Sequence, residues 1–199
     1  RLLMHPMIDG LYLALSEEDQ YWQDTEFANH PDLVRVPGGS ERCYSVFNAL
    51  TELRRRADLN DWVLVHDAAR PCVQHKDLTS LITYCIENDH GGILATPVRD
   101  TMKQATLTGV IDKTLDRSQM WHALTPQMYK TEELTSAITS ALAQGITITD
   151  ESSAMEAFGY TSGLVAGSSD NIKITQPEDL HLAEFILQQQ EKESQLEAL

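Results

Sequence analysis

The sequence predicts an α/β fold built on a doubly wound, mostly parallel sheet with a protruding β-arm, and three observations predict it. Short apolar runs alternate with stretches of helical period. The runs are continuously apolar instead of alternating, as strands covered on both faces require. One internal stretch breaks this rhythm with short alternating pieces around a turn.

Taken in order, Gly10 to Leu15 is an apolar run between Asp9 and Ser16, and Leu33 to Val36 is a second that stops at Pro37; both read as buried strands. Gly38 and Gly39 turn the chain, and Ser40 is placed to cap a helix through Val46, Phe47, Leu50 and Leu53 to Arg56. Trp62 to Val65 is the next strand, followed by a helix through Leu78, Leu81, Ile82, Cys85 and Ile86. Gly92 to Thr96 is another strand, closed by Pro97. From Val98 to Gln119 come Thr101–Ala105 and Val110–Leu115 around a Thr108-Gly109 turn, the expected β-arm. Helices resume at Thr131–Ala143 and Ser152–Phe158, stopped by Gly145 and Gly159. Ser162–Ala166 and Ile172–Thr175 read as strands, and Pro177-Glu178-Asp179 opens a last helix whose polar tail from Gln188 to Leu199 is expected to fray.

A chain of 199 residues without repeats or linkers fits one domain over 1–199. Its formal net charge of −15 excludes a general nucleic-acid or membrane-surface binder, because phosphate surfaces demand basic patches. Any phosphate ligand must be met by a few local cations. The three cysteines, Cys43, Cys72 and Cys85, form no CxxC pair and read as reduced thiols, and no stretch has the length of a membrane span or the form of a signal peptide, so the cytoplasm is expected.

In doubly wound sheets ligands bind beyond the carboxyl ends of the strands, and three such ends are polar here. At the first, Gly38 and Gly39 allow close backbone approach, with Ser45 one turn into the helix that follows. At the second, Asp67 follows the Trp62–Val65 run, where a carboxylate can hold Mg²⁺ or a ribose hydroxyl, and Arg70 can meet a phosphate across Ala68 and Ala69. At the third, Lys173 lies in an apolar run, unusual unless it faces a polar site. Arg99 to Lys103, Asp116-Arg117 and Trp121 to Gln127 add cations and hydroxyls between them. His66 and His122 have no partner at metal-ligand spacing, and Cys72 reads as a buried, inert thiol.

Together VHDAARP (65–71), GGILATPVRDTMK (91–103), WHALTPQ (121–127), TITDESSAME (147–156) and DNIKITQPEDL (170–180) resemble the 2-C-methyl-D-erythritol 4-phosphate cytidylyltransferase family, in order and over nearly the whole chain. The resemblance implies a Rossmann-like nucleotidyltransferase that transfers CMP from CTP to methylerythritol phosphate with release of pyrophosphate, in non-mevalonate isoprenoid synthesis. It implies a nucleotide site at Gly38, Gly39, Ser45, Asp67 and Ala68, with Asp67 on Mg²⁺ and Arg70 beside it. Thr101, Arg117 and Thr125 match its methylerythritol phosphate contacts, and Lys173 its catalytic lysine at the α-phosphate. It further implies a homodimer in which the Val98–Gln119 arm carries Arg117 into the partner's site. The family's glycine-rich PAAGxGxR loop and the PK pair that follows it have no counterpart here; Arg1 to Pro6 matches the end of the next helix. An upstream segment is therefore expected, and the chain as printed is expected not to be competent. A related enzyme acting on another sugar or alditol phosphate, and a catalytically inactive binding relative, are the alternatives.

Overall fold

The structure is a computed structural model that describes residues 1–56 and 61–197. Its strands are β1 (Leu11–Leu15), β2 (Leu33–Pro37), β3 (Trp62–Val65), β4 (Gly92–Pro97), β5 (Met102–Ala105), β6 (Ile111–Leu115), β7 (Trp121–Lys130) and β8 (Gly163–Ala166). Its α-helices are α1 (Arg42–Leu53), α2 (His75–Asn88), α3 (Thr131–Ala143), α4 (Glu151–Ala157) and α5 (Asp179–Glu197). The α/β class stands, with the sheet mixed. β3, β7, β4 and β8 form one four-stranded sheet in that order, β1 and β2 a parallel pair, and β5 and β6 the arm.

Within the main sheet β7 alone runs against its neighbours: it pairs antiparallel with β3 and β4, while β4 and β8 are parallel. Sequence reading places no strand at Trp121–Lys130, because this stretch carries His122, Thr125, Pro126 and Gln127 among its apolar residues. Ile93 and Ala95 turn to one face of the sheet, where Leu50, Leu134, Ile138 and Met155 of α1, α3 and α4 cover them. Leu94 turns to the other, packing with Leu78, Leu81 and Cys85 of α2. Consecutive residues of one strand are thus both buried, which is why these runs are apolar throughout.

Three expectations are corrected. Glu41, not Ser40, occupies the N-cap position of α1, without a side-chain cap. Ile172–Thr175 is no strand: it makes one backbone bond to the Asp67 loop, Ile174 N–H to the Ala69 carbonyl at 2.8 Å, and no ladder. The polar tail continues as helix to Glu197, because the buried Gln190 side chain donates to the Cys72 carbonyl at 3.1 Å and draws that turn onto the body; residues 198–199 lie outside the described residues. The arm leaves and returns where Pro97 pairs with Trp121 and Val98 N–H meets the Met120 carbonyl at 2.9 Å. Its strands pair only with each other and stand largely exposed.

Candidate active site

Strand β3 ends at Val65, opposite Gln127 of β7, and delivers His66 and Asp67 to the sheet's carboxyl edge. Three hydrogen bonds of equal length then fold the loop back on itself. The Asp67 N–H donates to Thr125 Oγ1 at 3.0 Å, the Thr125 hydroxyl lies 3.0 Å from His66 Nδ1, and His66 Nε2 lies 3.0 Å from the Arg70 carbonyl. A carbonyl only accepts, so His66 carries its proton on Nε2 and accepts the Thr125 hydroxyl at Nδ1. Burial holds His66 below its ordinary value, which agrees with that neutral ring.

The Asp67 carboxylate is met from three sides. Arg42 Nε lies 2.7 Å from Oδ1, Lys173 Nζ 2.9 Å from Oδ2, and Arg70 Nε 3.9 Å from Oδ2. Burial opposes its charge most, but the bonds from Lys173 and Arg42 outweigh it and hold the group below the usual carboxylate range. The far end of Arg42 forks onto Glu151, Nη1 to Oε1 at 2.6 Å and Nη2 to Oε2 at 2.9 Å, and Glu151 is 1% exposed. Arg70 donates Nη1 to the Asn171 carbonyl at 2.8 Å, while its buried Nε has no hydrogen-bond acceptor. Asn171 in turn donates its amide to the Thr125 carbonyl at 2.8 Å. Three cations, Arg42, Arg70 and Lys173, gather on Asp67 at this edge, inside a chain of net −15.

The glycine turn after β2 is tight for a reason of its own. A Cβ on Gly39 would come within 2.3 Å of the Tyr44 Cβ, so only glycine lets α1 start there. Gly38 N–H bonds the Leu15 carbonyl at 2.6 Å, and Gly39 N–H donates to the Ser45 hydroxyl at 2.9 Å. Arg42, in the first turn of α1, ties this turn to Asp67. Glu151 is set by the capping box of α4, where Asp150 accepts Ser153 N–H at 3.0 Å, and Gln127 reaches the same corner through Asp150 at 2.9 Å and Ser152 N–H at 2.8 Å.

The structure therefore brings together Asp67, Arg70, Lys173 and Thr125, with Ala68 between the charges. Gly38, Gly39 and Ser45 join through Arg42. Thr101 and Arg117 stand apart: both are exposed at the base of the arm and make no side-chain hydrogen bond or ion pair among the described residues. Sequence reasoning gave Arg42, Glu151, Asn171 and His66 no role. A charged residue in the first turn after a glycine turn was a usable signal for Arg42; nothing in the sequence points from Glu151 to a partner 109 positions away.

Both Cys72 and Cys85 are buried free thiols, and burial pushes Cys85 up to about 12, in keeping with inert cysteines. Among the described residues no three His, Cys, Asp or Glu side chains group as a metal site, and no helix is long and apolar enough to cross a membrane.

Residues 1–189 match the family model of 2-C-methyl-D-erythritol 4-phosphate cytidylyltransferase (IspD). A curated protein of that name from Vibrio vulnificus is 58% identical over 187 residues, 94% of this chain and 79% of its own length. One from Colwellia psychrerythraea is 54% identical over 198 residues, 96% and 81% of the two chains. The crystal structure of the Francisella tularensis 2-C-methyl-D-erythritol 4-phosphate cytidylyltransferase superposes with a TM-score of 0.82 at 34% identity, covering 93% of this chain and 83% of that one. A crystal structure of a 4-diphosphocytidyl-2C-methyl-D-erythritol synthase gives 0.83 at 35%, covering 94% and 85%.

Proposed function

Because the chain belongs to the 2-C-methyl-D-erythritol 4-phosphate cytidylyltransferase family, we propose how its own residues carry that reaction. The activity is transfer of CMP from CTP to 2-C-methyl-D-erythritol 4-phosphate with release of pyrophosphate, a step of non-mevalonate isoprenoid synthesis. The observation that carries the residue-level reading is the convergence of Lys173, Arg42 and Arg70 on Asp67 at the ligand edge of the sheet.

The attacking group is already a phosphate oxyanion, so the protein need not supply a strong base. Its task is to align two anions and neutralise charge that grows in the transition state. A site of cations around one carboxylate, with His66 neutral and committed to the backbone, suits that task. Lys173 faces the α-phosphate, where charge builds on the non-bridging oxygens. Arg70, Gly38, Gly39, Ser45 and Ala68 receive the nucleotide. Thr101 and Arg117 receive methylerythritol phosphate. Thr125, whose hydroxyl is engaged on both sides, contributes by bracing the Asp67 backbone.

Mg²⁺ fits this donor set. It takes one or two carboxylates and fills its shell with water and phosphate oxygens, and each Asp67 oxygen keeps a lone pair beside its cation contact. Glu151, buried and held on both oxygens by Arg42, is not available to it. When bound, the ion would offset phosphate charge.

A homodimer completes the reading. Leu107, Val110 and Ile111 expose apolar surface on a two-stranded ribbon, and such a ribbon is marginal in water without a surface to pack on. The arm of one protomer lies on its partner and carries Arg117 to the partner's site. The protein works in the cytoplasm, where its three thiols stay reduced.

Steady-state kinetics with CTP, methylerythritol phosphate and Mg²⁺, on protein carrying the expected upstream glycine-rich loop, test the residues. Asp67→Ala should abolish turnover with the fold retained. Lys173→Ala should lower kcat by roughly a hundredfold or more with a smaller change in the KM for CTP. Wild-type turnover in the first variant, or a change in KM alone in the second, would remove the residue from its role.

A further inference from the structure

The Arg42–Glu151 fork lies outside the substrate contacts proposed above, yet it ends on Asp67. One guanidinium spends three donors on two carboxylates, Nη1 and Nη2 on Glu151 and Nε on Asp67, and so joins three elements: the first turn of α1, the loop after β3, and the first residue of α4. Stability alone is a weak reason to keep such an arrangement, because an ion pair with one buried member, here Glu151, is often replaceable by apolar residues at no loss. The geometry at Asp67 supplies a stronger one. Arg42 holds Oδ1 at 2.7 Å and leaves Oδ2 to Lys173 at 2.9 Å, with Arg70 waiting at 3.9 Å. Without Arg42 the carboxylate can turn both oxygens to the remaining cations and hold Lys173 more tightly than the reaction allows.

We propose that Glu151 and Arg42 form a positioning pair that fixes the orientation of the Asp67 carboxylate and thereby keeps Lys173 placed for the transferring phosphate. The fork matters more than the charge: a lysine at 42 has neither the planar bidentate face for Glu151 nor the side-on Nε–H for Asp67. Glu151 touches no substrate; it acts through Arg42. This inference rests on the roles given above to Asp67 and Lys173.

Two measurements on the whole protein test it. In ¹⁵N-labelled protein without nucleotide, the Arg42 Nε–H should give a resolved, slowly exchanging resonance that moves in Asp67→Asn and is lost to exchange in Glu151→Gln. In kinetics, Glu151→Gln and Arg42→Lys should each lower kcat by about tenfold or more while the KM for CTP stays within about threefold, as loss of alignment does. A fast-exchanging Arg42 Nε–H in the unsubstituted protein, or kcat within about twofold of the parent in either soluble variant, overturns the proposal. Should Glu151→Gln fail to fold, Arg42→Lys and the resonance of the unsubstituted protein decide. Absence of CTP turnover by unsubstituted protein that carries the expected upstream glycine-rich loop would instead strike the reading of the site, which the resonance does not depend on.

Discussion

Replacing Thr125 by valine removes one hydroxyl and strands two partners at once. The Asp67 N–H loses its acceptor and His66 Nδ1 loses its donor, each from a 3.0 Å bond, around a side chain only 5% exposed. An unpaired buried group costs about 1–3 kcal/mol, and the added methyl returns something under 1 kcal/mol of apolar burial. The net expectation is a loss of about 1–5 kcal/mol, or a fall in Tm of roughly 2–20 °C at 2–4 °C per kcal/mol for a domain of this size. Urea denaturation at pH 7.5, where His66 is neutral, reads the change as a shift in midpoint at constant m. Thr125→Ser serves as the control, since it keeps the hydroxyl. A Thr125→Val protein within about 0.5 kcal/mol of the parent would show that the relay from Asp67 to Arg70 contributes nothing, and the description of the loop would have to be abandoned.

Two further outcomes follow from the same residues. Burial holds His66 below its ordinary value of 6.5, so in the interval between the two values the unfolded chain binds a proton that the folded one refuses; stability should therefore fall as pH drops through 6.5 toward the folded value. His5 is shifted the same way by burial, so His66→Gln should flatten the dependence in part, and an unchanged slope in that variant would count against a buried neutral His66. For the shared site, in protein carrying the expected upstream segment, inactive Arg117→Ala and Lys173→Ala homodimers should regain about a quarter of parental activity on mixing, because random exchange makes about half the dimers mixed and each mixed dimer has one intact site of two. No recovery, with exchange demonstrated, would put Arg117 in its own subunit's site or outside it.

The parts of the fold legible in the sequence are those where local chemistry and final environment agree. Trp62–Val65 reads as a strand because four apolar residues in a row suit a strand packed on both faces, and it is a strand whose Val63 and Val65 pack half-buried on one core and Trp62 and Leu64 on the other. Trp121–Lys130 does not read as one, because its polar groups draw on distant partners: Thr125 on His66 and Asp67, Gln127 on Asp150 and Ser152. Ile172–Thr175 misled in the opposite sense, an apolar pattern that lines the site as irregular chain, with Asn171 and Lys173 turned to Thr125 and Asp67. Asp67, Arg70 and Lys173 were legible as charges at strand ends. Arg42 and Glu151 were not, since an ion pair between residues 109 apart leaves no local trace.

The three cations at Asp67 sit in a body of charge −15, and close contacts and overall field act over different distances. Contacts under 4 Å are barely touched by dissolved salt, whereas the field of the whole surface reaches out about 30 Å at 0.01 M and only about 10 Å at 0.1 M. Both substrates are anions, so at low ionic strength they approach against a repulsive field before any cation can hold them. Added salt should therefore quicken capture: kcat/KM rises between 0.01 and 0.1 M while kcat hardly moves, the reverse of an enzyme that draws its substrate in from afar. A fall in kcat/KM over that interval would mean that the local cations govern the approach as well as the bound state.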